Sequence, residues 1–162
     1  MTEEIHGQTL TEVGLFAELL SPGQRIVGLD LGTKTIGVAL SDVSRMIASP
    51  LETISRTKFK ADATRLIAIA NEHHIGGFVL GLPWNLDGSE GPRVQSTRAF
   101  ARNFNRLSPL PVLMWDERLS TVAAERTLLE ADTSRRRRNE VIDKVAATII
   151  LQSALDRMKM AA

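Results

Sequence analysis

Cysteine is missing from the 162-residue chain, which excludes a disulfide framework and any zinc site built on thiolates. Tyrosine is missing too, and aromatic residues make up only 4%. That leaves little material for a base-stacking platform. No apolar run approaches the roughly 20 residues of a membrane-spanning helix. The opening MTEEIHGQTL is acidic and lacks the basic-then-apolar order of a signal peptide. The expected location is cytoplasmic, with no membrane attachment. Lys and Arg are absent from residues 1–24, which hold the acids Glu3, Glu4, Glu12 and Glu18. Residues 25–162 therefore carry 20 basic against 15 acidic side chains, a mild lean toward polyanionic partners.

What is present reads as one ordinary domain. Hydrophobic residues are 43% and charged residues 24%, a globular balance with enough chain for a single core. Residues 1–24 read as an acidic N-terminal extension. In it Leu10, Val13, Ala17 and Leu20 outline a short amphipathic helix closed by Ser21-Pro22-Gly23. Residues 25–162 read as the domain proper.

Arg25–Leu31 and Thr35–Ser41 are Ile- and Val-rich strands around a short turn. A third strand runs over Ala48–Ser55, where Pro50 demands an edge or a bulge. These three predict an antiparallel meander. A helix over Lys60–His74 follows, with Ala63, Leu66, Ile67 and Ala70 on one face. Gly77–Leu82 is a short, wholly apolar run, as a strand buried on both faces requires. After the turn-rich loop Pro83–Pro92, a helix over Arg93–Leu107 buries Val94, Thr97, Phe100, Ala101 and Phe104. Pro111–Trp115 is another buried strand. Ser120 or Thr121 then caps a helix reaching Glu130, and a long helix runs from Asn139 to Met158. A meander followed by alternating helix and strand predicts an α/β fold, a mixed sheet with helices on both faces.

The chemistry lies in carboxylates. Asp30 interrupts the run RIVGLDL near the carboxyl end of its strand, and Asp116-Glu117 directly follows PVLMW. Sites in open α/β sheets form beyond the carboxyl ends of strands, so these acids meet if the two strands are parallel. At 100° per residue, Asp143 shares a helical stripe with Ala146, Ala147, Ile150 and Ala154. It thus begins a packing face of small residues. A strand Asp, a strand-end acid and an acid on a packing face share no structural purpose. Carboxylates without cysteine or a histidine cluster point to hard oxygen ligation, Mg²⁺ or Mn²⁺ completed by water and substrate phosphate. Two ions roughly 3.5–4 Å apart activate water and stabilise the leaving oxygen of a phosphodiester. On this evidence Asp116 and Glu117 remain equal candidates. Basic residues surround the acids: Lys34 in the first turn, Arg118 beside Glu117, and Arg135, Arg136, Arg137 and Arg138 at the entry to the last helix. Cations at a helix N-terminus oppose its dipole, and a phosphate ligand reverses that argument. All six are candidate nucleic-acid contacts. Arg98, Arg102 and Arg106 form a stripe read as a solvated helix face.

Four stretches, in order, resemble the YqgF family, also called RuvX: GLDLGTKTIGVALSD (Gly28–Asp42), VLGLPWNLDGSEGP (Val79–Pro92), DERLST (Asp116–Thr121) and SRRRRNEVIDKVAATIILQ (Ser134–Gln152). Its members are pre-16S rRNA nucleases related to Holliday-junction resolvases. The resemblance implies an RNase H-like five-stranded mixed sheet of order 3-2-1-4-5, with the second strand antiparallel to its neighbours. It also implies Asp30, Glu117 and Asp143 as the catalytic, metal-holding acids. The expected function is a divalent-metal-dependent nuclease in 5′-end maturation of pre-16S rRNA. The expected cofactors are two Mg²⁺ or Mn²⁺ ions bound with substrate. The expected partners are structured RNA or branched DNA and a ribosomal precursor, with the chain a monomer or homodimer. Three alternatives stand beside it. One is a junction-resolving DNA endonuclease, although the last helix adds only Glu140 to Asp143. Another is an ATP-binding phosphotransferase, since DLGTKTIGVAL also resembles the phosphate hairpin of the actin and sugar-kinase group. The third is a non-catalytic nucleic-acid-binding module.

Overall fold

The computed structural model describes residues 7–85, 87–122, 125 and 135–161, with side chains over 142–160 in the last stretch. The strands are β1 (Thr9–Leu10), β2 (Arg25–Leu31), β3 (Thr35–Ser41), β4 (Ala48–Ser55), β5 (Ile75–Leu82) and β6 (Val112–Asp116). The helices are α1 (Val13–Glu18), α2 (Phe59–Glu72), α3 (Pro92–Asn105) and α4 (Arg135–Ala161), with a 3₁₀ turn at Glu117–Leu119. The helix expected to end at Glu130 falls almost wholly outside the described residues. Among the described residues no helix is long and apolar enough to cross a membrane.

The sheet order is β1-β6-β5-β2-β3-β4. β3 is antiparallel to β2 and β4, while β2, β5 and β6 run parallel. The five expected strands thus stand in the expected order. The count of five is corrected to six, because β1 adds a short parallel edge beside Val112 and Leu113. No strand signal marks Thr9–Leu10, since two residues are too few for a period. β4 is the opposite edge, and its register shifts between Val38 and Ala39, facing Glu52 and Pro50. Leu51 is the extra residue, so Pro50 sits at both an edge and a bulge, as its missing N–H requires.

Alternation along the strands divides the core into two layers. Val27, Leu29, Leu31, Ile36, Val38, Phe78, Leu80 and Leu82 face α2 and α3. Phe78 and Phe104 meet edge-to-face there, with centroids 5.0 Å apart, a geometry worth about 0.5–1.5 kcal/mol beyond area burial. All five residues expected to be buried on α3 are buried, whereas on α2 Ile69 takes the fully buried place expected of Ile67. The other face, with Ile26, Ala39, Val79, Leu113 and Trp115, packs on Ala146, Ala147, Ile150, Leu151, Ala154 and Leu155 of α4.

Residues before Arg25 join this second layer. Phe16 of α1 is fully buried, and its ring lies where a side chain at Gly77 would stand, 2.6 Å from the nearest ring carbon. The stripe drawn from Leu10, Val13, Ala17 and Leu20 omitted Phe16, because a lone aromatic in a six-residue helix has too few neighbours to fix a face. Across the sheet, α4 presses so closely that a methyl group on Gly37 would fall on the Asp143 carbonyl.

Two outcomes follow for urea denaturation. Phe16→Ala should cost about 3–5 kcal/mol, as truncation of a buried Phe does. Gly37→Ala should cost about 1–3 kcal/mol by overpacking, through displacement of the start of α4.

Candidate active site

Asp30 is 1% exposed and stands opposite Gly37 in the β2–β3 ladder. Directly opposed residues of an antiparallel pair project to the same face, so the Asp30 carboxylate points to the α4 layer. Gly37 has no side chain to occupy the space, and the backbone of Asp143 enters there. Asp143 is 9% exposed. Its Oδ2 accepts a hydrogen bond from the hydroxyl of Thr35, and a side chain at Gly32 would approach that oxygen to 2.5 Å. Asp143 therefore sits in a seat made by Gly32, Thr35 and Gly37, all within the turn and strand that follow Asp30.

Glu117 reaches the same face from β6. Gly81 lies on β5, one step beyond the Leu29–Leu80 pair that links β5 to β2, and is paired with Trp115 on its other side. A side chain there would come within 2.8 Å of Glu117 Oε1 and 2.5 Å of Ile150 Cδ1 on α4. The Glu117 carboxylate thus lies over the bare backbone of Gly81, in the strand between β2 and β6. Three acids from β2, β6 and α4 border one glycine-floored patch at the carboxyl rim of the parallel strands.

The structure separates the two acids that the sequence left equal. Asp116 pairs in register with Leu82, whose side chain faces α2 and α3, so Asp116 points to the opposite face from Trp115. Its Oδ2 accepts from Arg118 Nη2 at 2.6 Å, and its Oδ1 accepts from Arg118 Nε and the Arg118 backbone N–H, each at 3.0 Å. These side-chain hydrogen bonds from Arg118 hold the Asp116 carboxyl below its ordinary value. Arg118 is accordingly directed to Asp116, and its guanidinium also lies 5.5 Å from the centre of the Trp84 ring. Arg98 flanks the same ring at 5.3 Å and pairs with Glu90 at 2.7 Å, so it is not merely a solvated residue of the stripe.

Lys34 is exposed in the turn between β2 and β3, at the border of the patch. Arg135–Arg138 begin α4 and are helical, not a loop, in backbone; their side chains lie outside the described residues. At a rise of 1.5 Å per residue, Arg135 stands about 12 Å along the helix from Asp143. Reading the sequence missed the seat itself. Gly37 and Gly81 inside strands were the signal, since glycine within a strand marks a close backbone approach.

Among the described residues no three Asp, Glu or His side chains are gathered into a ready-made cage for a metal ion. The donor set is all oxygen, with no sulfur or imidazole among the three acids that border the glycines. That arrangement fits Mg²⁺ or Mn²⁺ held by one or two carboxylates and completed by water and substrate phosphate.

Comparison with known proteins places these features. Residues 24–157 match the family model RuvX, described as Holliday junction resolvase. A "Putative pre-16S rRNA nuclease" of Paracoccus denitrificans is 66% identical over 147 residues, spanning 91% of this chain and 93% of that protein. A protein of the same description from Ruegeria pomeroyi is 64% identical, spanning 89% and 94%. Among solved structures, Thermus thermophilus RuvC in complex with a Holliday junction substrate superposes with a TM-score of 0.53 at 12% identity, covering 84% of this chain and 96% of that one. At that identity the likeness establishes a shared fold. The family match over most of the chain, with relatives identical at about two residues in three, establishes that the chain belongs to the RuvX family.

Proposed function

We propose that the chain is a divalent-metal-dependent nuclease acting on structured RNA, in the 5′-end maturation of pre-16S rRNA. Its class is supported by the family and by the curated relatives: it is a hydrolase of phosphodiester bonds. The observation that carries the finer reading is the convergence of Asp30, Glu117 and Asp143 on one patch floored by Gly32, Gly37 and Gly81.

Asp30, Glu117 and Asp143 would hold the ions, with Asp30 between the other two. Bound there, divalent ions supply an activated water and neutralise charge on the leaving oxygen. The overall reaction adds water across one phosphorus–oxygen bond, leaving a phosphomonoester on one fragment and a hydroxyl on the other. The chain's own groups set the geometry. The ladder fixes Asp30, the Thr35 hydroxyl orients the Asp143 carboxylate, and the 3₁₀ turn after β6 folds Glu117 back over Gly81. Lys34, in the turn bordering the site, and Arg135–Arg138, at the start of α4, are the proposed phosphate contacts. Arg118 is proposed to hold substrate through its remaining N–H groups while anchored on Asp116. Residues 25–162 form the nuclease domain, and residues 7–24 pack on it through β1 and Phe16. A four-way DNA junction is the second candidate substrate, favoured by the description of the family model.

The test is incubation of the purified chain with ribosomal precursor RNA and with a four-way DNA junction, each with Mg²⁺, Mn²⁺ or chelator. Cleavage of the precursor that chelator abolishes is the expected result. Asp30→Asn, Glu117→Gln and Asp143→Asn should each lower turnover by at least about a hundredfold while keeping the wild-type circular dichroism. Undiminished turnover in Asp30→Asn would refute the assignment. In a melting experiment without nucleic acid, Mg²⁺ or Mn²⁺ should raise the transition of the wild type more than that of Asp30→Asn, because an ion that binds only the folded state stabilises it.

A further inference from the structure

On the far side of the β2–β3 turn from the three acids lies a cleft of about 390 Å³, bordered by Gly32, Thr33, Arg56, Thr57, Arg93 and Ser96. Among the described residues no carboxylate lines it. Arg56 Nη1 donates to the Gly32 carbonyl at 2.7 Å, and Arg93 Nη2 donates to the Leu31 carbonyl at 3.1 Å. Two guanidinium heads are thereby anchored on consecutive residues of the strand end that carries Asp30. Among the described residues neither has a carboxylate partner. Each guanidinium has five N–H donors and uses one on these carbonyls, so most of their hydrogen-bonding capacity is uncommitted.

The surroundings are donors as well. Thr33, Thr57 and Ser96 contribute hydroxyls, and Arg93 and Ser96 lie at the start of α3, whose N-cap Gly91 offers no side-chain cap. The first turn of α3 contains no acid, and Arg93 there opposes the helix dipole. The nearby buried carboxylate of Asp62 accepts from the Thr57 backbone N–H at 3.3 Å. Two anchored guanidiniums and the hydroxyls around them together select a phosphate group.

We infer that Arg56 and Arg93 clamp a backbone phosphate of the nucleic-acid substrate, away from the phosphate that is cleaved, so that the strand crosses the rim of the sheet over the Gly32–Lys34 turn. The inference rests on nucleic acid being the substrate. It assigns contacts on the α3 side of the rim, whereas the acids lie on the α4 side. Neutral contacts at this cleft would carry no counterion release, whereas a phosphate clamp does, and salt dependence separates the two.

Binding of fluorescein-labelled structured RNA and of a labelled four-way DNA junction is measured by anisotropy across a KCl series, without divalent ions. Arg56→Gln and Arg93→Gln should each weaken binding severalfold and reduce the slope of log K against log[salt] by about 0.7–0.9. Arg56→Lys and Arg93→Lys should recover most of the slope. Because Arg56→Gln can loosen the turn, the wild type is also labelled with phenylglyoxal, and RNA should protect Arg56 and Arg93 from modification as read by peptide mass. An unchanged slope in folded variants, or equal modification with and without RNA, overturns the clamp and leaves the nuclease reading intact. Protection by inorganic phosphate with none from RNA or the junction makes this a free-anion site and also overturns the clamp. Failure of the wild type to bind either nucleic acid overturns the parent reading, and the clamp falls with it.

Discussion

The close seating of α4 on the sheet is the contact from which the rest of the molecule follows. Gly37 on β3, Gly28 on β2 and Gly81 on β5 present bare backbone to the helix. Side chains there would strike the Asp143 carbonyl, Leu151 Cβ and Ile150 Cδ1. The helix answers with Ala146, Ala147 and Ala154, all at most 2% exposed. Small surfaces on both partners bring the helix backbone down onto three adjacent strands. Only then does Asp143 arrive at the level of Asp30, and only then does Ile150 close over the strand that Glu117 overhangs. Stability and site geometry are set by one interface, so a change that lifts the helix is felt in both.

That interface brings the carboxylates of Asp30, Glu117 and Asp143 to one rim of the sheet. A carboxylate as buried as Asp30 is costly unless charge or hydrogen bonds meet it. The acid before Glu117 lies apart from those three carboxylates. Asp116 is turned to the other face and bonded to Arg118, which ties the exit of β6 to Trp84 in the loop after β5. Adjacent acids in one dipeptide thus divide their tasks, one stabilising the rim and one facing α4. Strand pleating sets the face of Asp116, and the 3₁₀ turn that follows folds Glu117 over Gly81 on the other face.

The turn between β2 and β3 organises the rim as a whole. On one side Gly32 and Thr35 hold Asp143; on the other, the Leu31 and Gly32 carbonyls anchor Arg93 and Arg56. Acids that suit cations and arginines that suit phosphates are separated by the thickness of a hairpin. Under the proposed clamp, a polyanionic chain laid across it would meet both kinds of group without their neutralising one another, as they would if intermixed.

The sequence by itself determined the alternation of elements, the α/β class, the buried faces of α3 and α4, and the placing of Pro50, because periodicity and backbone chemistry are local properties. It also picked out Asp30 and Asp143, since a carboxylate inside an apolar pattern is visible without coordinates. It could not choose between Asp116 and Glu117, because the choice depends on which face of β6 meets α4. It did not see β1 or the anchoring of Phe16, which have meaning only once Val112 and Gly77 are beside them. Nor could it pair Arg56 with Arg93, which lie 37 positions apart in the chain and meet through the end of a strand that belongs to neither. Tertiary structure decided those matters for one reason: each is a relation between surfaces that the chain brings together only when it closes.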